Sequence, residues 1–111
     1  MRLNINTAGV QFLATRLPEP RTDRDTGAAR IDKETGLPMF QVQVAALDSS
    51  GGEVLAVSVP GQPSGITIGA PVTVEGLVAI PWSQGDRSGV AYRATALRGA
   101  DSRSAGKPTS D

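Results

Sequence analysis

The sequence predicts an all-β fold, a small sheet rolled on itself, from three observations. Several short stretches alternate apolar and polar side chains, the period of a strand with one face buried. Thirteen glycines and eight prolines in 111 residues interrupt the chain too often for long helices. No segment keeps apolar residues at helical spacing for more than a single turn.

Taken in order, the first strand is expected over residues 9–17, Gly-Val-Gln-Phe-Leu-Ala-Thr-Arg-Leu. The second runs from Pro38 to Leu47, with Phe40, Val42, Val44 and Ala46 on one face and Gln41, Gln43 and Ala45 on the other. Asp48-Ser49-Ser50-Gly51-Gly52 makes a turn. The third runs from Glu53 to Val59 with Leu55, Val57 and Val59 inward, and Pro60-Gly61-Gln62-Pro63 ends it. Ser64 to Gly69 holds at most one helical turn. The fourth runs from Pro71 to Trp82, with Val72, Val74, Val78 and Ile80 on one face. Gly76 falls on that face and marks a bulge or bend. A loop over Ser83–Ser88 leads to the fifth strand, Gly89 to Arg98, where Val90, Tyr92, Ala94 and Ala96 oppose Ala91, Arg93, Thr95 and Leu97.

Between the first two strands lies segment 18–37, which has one large apolar side chain, Ile31, before Leu37 and cannot supply a core. Loops of this length in compact domains are functional or disordered. It reads as an arm projecting from the sheet, with successive turns at Asp25-Thr26-Gly27 and Glu34-Thr35-Gly36. Residues 99–111 are polar and of low complexity, and a disordered tail is expected. Residues 1–98 then form one domain, a five-stranded OB-like barrel; an SH3-like barrel or a small sandwich also fits this strand count.

Composition narrows the function. No cysteine and no histidine occur, which removes disulfides, thiolate sites, the commonest general base and the commonest metal ligand. No phosphate-cradling glycine motif is present, and Gly85-Asp86-Arg87-Ser88-Gly89 does not centre its serine as a nucleophile elbow requires. Asp23, Asp25, Asp32 and Glu34 are interleaved with Arg and Lys, which oppose a cation. A non-enzyme without metal or cofactor is expected. No apolar stretch resembles a leader or a membrane span, so a cytoplasmic location away from membranes is expected.

Eleven basic and eleven acidic residues cancel, but unevenly. Residues 48–82 hold Asp48, Glu53 and Glu75 and no Lys or Arg. The cations flank this stretch. Arg16, Arg21, Arg24, Arg30, Lys33, Arg87 and Arg93 are the candidate phosphate contacts, because a guanidinium can pair with phosphate or stack on a base. Trp82 and Tyr92 are the candidate stacking platforms. Binding of single-stranded nucleic acid is therefore the leading reading, and a protein-interaction adaptor is the alternative.

One resemblance bears on this. Thr15-Arg16, the 18–36 arm, Gly36-Leu37-Pro38-Met39-Phe40, Ile68-Gly69-Ala70-Pro71-Val72-Thr73-Val74 and the terminal Arg-Ala-Thr-Ala-Leu-Arg strand follow one another over residues 8–99. This order resembles the small OB-fold single-stranded DNA-binding proteins of filamentous phages, the gene V type. It is also similar to accessory proteins of actinobacterial plasmids and integrative elements. The resemblance implies a homodimer that coats single-stranded DNA with little sequence preference during replication or transfer. It also implies that Arg16, Arg21 and the arm lie on the DNA, with a replication or transfer protein as a further partner.

Overall fold

The computed structural model describes residues 2–23 and 25–99. Among them there is no helix, and every regular element is a strand. The strands are β1 (Leu3–Asn4), β2 (Gln11–Ala14), β3 (Glu19–Pro20), β4 (Met39–Asp48), β5 (Gly51–Pro60), β6 (Pro71–Glu75), β7 (Val78–Gln84), β8 (Arg87–Arg93) and β9 (Ala96–Gly99). The five expected strands are thus nine. The first shrinks to β2, the fourth and fifth each break in two, and the two-residue pairings β1 and β3 are additional. Gly99, expected in the tail, instead closes β9 and is buried. Residues 100–111 lie outside the described residues. Among the described residues no helix is long and apolar enough to cross a membrane.

The sheet runs in the order β1-β7-β8-β5-β4-β2-β6-β9, with β3 also on β4. Every pairing is antiparallel except β5 with β8. β6 and β7 lie near opposite ends of this order, yet only Gly76 and Leu77 separate them. Three Cα steps span at most about 11 Å. The sheet must therefore roll until its ends approach, which makes it a curled half-barrel.

The last two long runs form one bent hairpin. Val72 faces Gly99, Glu75 faces Ala96, Val78 faces Arg93 and Gln84 faces Arg87, all in a single register. The loop expected over Ser83–Ser88 is only Gly85-Asp86, with Gly85 at φ 64°, the glycine-first two-residue turn that suits strand twist. At Gly76 the hairpin kinks, and the face it turns inward changes. Val72, Val74 and Leu97 point to the core below the kink, whereas Leu77, Tyr92 and Ala94 do so above it. Val78 and Ile80, expected on the face of Val72, consequently look outward beside Arg93 and Ala91.

The core is small and mostly β-branched. Val42, Val44, Val57 and Val59 are its largest fully buried side chains, joined by Phe12, Val72, Leu77 and Leu97. Phe40 is half-buried against them.

The kink depends on Gly76, whose φ is 65° and whose added Cβ would lie 2.6 Å from Thr95 Oγ1. Thr95 is held there because its N–H and its hydroxyl both donate to the Glu75 carbonyl, at 2.9 and 3.0 Å. Gly85 has a similar φ but open space around it. Gly85→Ala should cost about 1 kcal/mol and Gly76→Ala about 2–4 kcal/mol, the difference being steric. Thermal melts of the two variants beside the parent chain check this; equal losses would contradict it.

Candidate functional site

The arm is not free of the sheet. β3 pairs with β4, Arg21 N–H donates to the Met39 carbonyl, and Met39 N–H donates to that of Arg30. Two copies of one turn follow. In each, Asp23 or Asp32 opens the turn, its carboxylate accepts from backbone two or three residues on, and a glycine at φ 74° (Gly27 or Gly36) closes it. The sequence Asp-x-acid-Thr-Gly suits this, because Asp side chains mimic a turn and glycine tolerates the left-handed region. Ile31 and Leu37 stay exposed, as a segment outside the core should leave them.

Among the described residues the buried polar side chains are Asp32 and Ser58, and both lie where the arm meets the sheet. Arg21, on the arm, donates from Nη1 to Ser58 Oγ at 2.7 Å. Arg93, on β8, donates from Nη2 to Asp32 Oδ1 at 2.5 Å. The other Asp32 oxygen accepts from Thr35 Oγ1 at 2.8 Å and Thr35 N at 3.1 Å. Each side thus offers one arginine and receives the other's. The Arg93 hydrogen bond, then those of Thr35, hold the Asp32 carboxyl below the usual carboxylate range despite its partial desolvation.

Between arm and sheet lies a cavity of about 600 Å³. Arg2, Arg21, Arg30, Lys33 and Arg93 line it, against two carboxylates among the described residues, Asp32 and Glu34. Those two serve Arg93, Glu34 at 3.9 Å. Among the described residues no carboxylate pairs with Arg2, Arg21, Arg30 or Lys33. Partial burial, and then the nearby Arg30 charge, pull Arg21 below the ordinary arginine range. Two guanidinium groups held together without a counter-ion make a place where an anion is favoured. Ile31, Met39, Ile80 and Ala91 supply the apolar part of the wall, and Tyr92, whose ring packs on the core, borders it.

Beyond the cavity, strand alternation continues one face. Arg93, Ala91, Gly89 and Arg87 share it with Val78, Ile80, Trp82 and Gln84. Trp82 lies two residues past Ile80, about 7 Å further along the hairpin, and Arg87 follows at about 13 Å. The indole lies across Gly89, where an added Cβ would sit 2.7 Å from Trp82 Cζ2, and the residue remains 44 % exposed.

The sequence candidates therefore divide. Arg21, Arg30, Lys33, Tyr92 and Arg93 line one cavity, and Trp82 and Arg87 extend its face. Arg16 lies apart, exposed and paired with Glu19 at 3.2 Å. Arg24 is outside the described residues. Tyr92 is half-buried against the core, so its ring is not an open platform. Arg2 and Ser58 were not anticipated. Ser58 interrupts the apolar run over residues 54–60, which was the available signal; Arg2 had none.

Comparison with protein-family models, with curated proteins and with solved structures finds no match.

The sign of the Asp32 shift sets a pH dependence. A carboxyl whose folded pKa is depressed adds stability above its unfolded value near 4, and that stability disappears as pH falls through the folded pKa. Urea melts of the parent chain should show docking of the arm weakening below about pH 4. Asp32→Asn should be less stable than the parent at pH 7 and should flatten that acid limb. An unchanged limb would place the acid sensitivity elsewhere.

Proposed function

We propose that this chain is a non-enzymatic binder of single-stranded DNA with little sequence preference, acting in the cytoplasm. The observation that carries the reading is the cavity wall where Arg21 and Arg30 stand together, flanked by Lys33 and Arg2, without a carboxylate partner among the described residues. A phosphate backbone supplies the missing anions. The Trp82 ring, exposed on the same hairpin face, offers a stacking surface to a base one or two positions along the strand.

The chain path supports an OB-like barrel as the frame. Taken as continuous runs, β2, β4, β5, bent β6–β7 and bent β8–β9 are five, with the third and fifth in parallel contact. In OB folds the face of the second and third strands and the loops after the first and fourth bind oligonucleotides. Those loops correspond here to the arm and to the β7–β8 hairpin, the two elements that form the cavity and its extension. Coating of DNA by homodimers in replication or transfer belongs to the same reading.

Fluorescence anisotropy with a labelled oligothymidylate tests it. Four unpaired cations imply a log–log salt slope of about −3, since each single-strand phosphate contact contributes about −0.7. Arg30→Ala should reduce that slope by about 0.7. Trp82→Ala should weaken binding by about 1–3 kcal/mol with the slope unchanged. A duplex of equal length should bind more weakly. Affinity indifferent to salt would remove the proposal.

A further inference from the structure

The opposite end of the half-barrel has different chemistry. A second cavity, of about 490 Å³, opens between the N-terminal segment and the β4–β5 turn. Val10, Phe12, Leu55, Leu77 and Tyr92 give it an apolar wall. Asp48 and Glu53, both exposed, also line it, and among the described residues no Lys or Arg does. Hydrogen bonds from the Ser50 hydroxyl and then its N–H hold the Asp48 carboxyl below the usual range, so it stays ionised. Alongside runs an open strand edge. β5 pairs with β4 along its whole length, but β8 joins its other side only at Val57 and Ser58. Residues 51–56, Gly-Gly-Glu-Val-Leu-Ala, thus carry no strand partner on that side among the described residues. Proteins usually blunt such an edge with Lys or Pro; residues 51–56 hold neither, and Val54 is 62 % exposed.

We propose that this barrel mouth docks an extended peptide of a partner protein, which adds as a strand to the free edge of β5. Alternation fixes the chemistry the peptide must have. Glu53 and Leu55 share a face, so neighbours on an added strand lie two positions apart. The peptide therefore carries an apolar residue, seated against Leu55 in the cavity, and a Lys or Arg two positions away, facing Glu53. Backbone hydrogen bonds supply affinity and these two side chains supply selection. Charge complementarity favours this occupant over nucleic acid, which the acidic lining repels. It does not draw on the DNA-binding reading, and that site lies on the other side of Tyr92.

The probe is the peptide acetyl-Thr-Lys-Thr-Val-Thr-Lys-Thr-amide, with a counterpart bearing Glu for Lys. Amide NMR titration of the full chain should show saturable shifts confined to the 5–12 segment, the 48–55 turn and edge, and Leu77. Hydrogen exchange of the 51–56 amides should slow on binding. Glu53→Lys, an exposed change that leaves the core intact, should weaken binding roughly tenfold or more, and the Glu counterpart should not bind. Saturating oligothymidylate should leave peptide affinity unchanged. The proposal is overturned by absence of saturable binding, by equal binding to Glu53→Lys, or by shifts at the arm cavity. It also falls if oligothymidylate excludes the peptide. Sedimentation of the protein alone covers the remaining occupant: a dimer that Glu53→Lys dissociates would assign the edge to a second copy instead.

Discussion

The two-residue link between β6 and β7 is the constraint from which the rest follows. It joins strands near opposite ends of the sheet order, so a flat sheet is geometrically excluded. Rolling brings the β7–β8 hairpin beside β5, and only there do Ser58 and Arg93 share a face. It also leaves the first half of β5 without a second neighbour among the described residues. One short connection thereby produces both a basic cavity and an open acidic mouth.

The charges of the arm have two different uses. Asp32 and Arg21 face inward and tie the segment down through Arg93 and Ser58. Burial of an ion pair gives little net stability, but removing one partner strands the other, so the pairing acts mainly on register and position. Among the described residues Arg30 and Lys33 have no such partners. The arm is held firmly enough to present cations, while few apolar atoms hold it. Segments of that kind sit at the low end of local stability and can open without global unfolding.

Much of the fold was legible in the sequence. Alternating valines located β4 and β5 to within a residue or two, because Val42, Val44, Val57 and Val59 mark the buried face of the two strands. Gly76 was readable as a bend. What alternation could not show is that the bend exchanges faces: a period of two assumes a single inward side, and Ile80 was assigned with Val72 on that assumption. The arm was legible as two turns but not as docked, since its anchoring residues are polar and their partners lie 37 and 61 positions away. The same distance hid the site. Arg21, Arg30 and Lys33 could be named, but their meeting with Arg93 depends on the parallel contact of β5 with β8. Arg16 and Tyr92 show the limit of choosing by residue type, one taken by Glu19 and the other by the core.

The measurement that bears most directly on this account is an amide and indole NMR titration of the full chain with an oligothymidylate at low salt. The account requires shifts at Arg21, Arg30–Lys33, Ser58 and Ile80–Arg93, including the Trp82 indole N–H, with the Leu55 and Glu53 signals still. No perturbation, or one spread over Arg16, the barrel mouth and the β6–β9 edge alike, would contradict it.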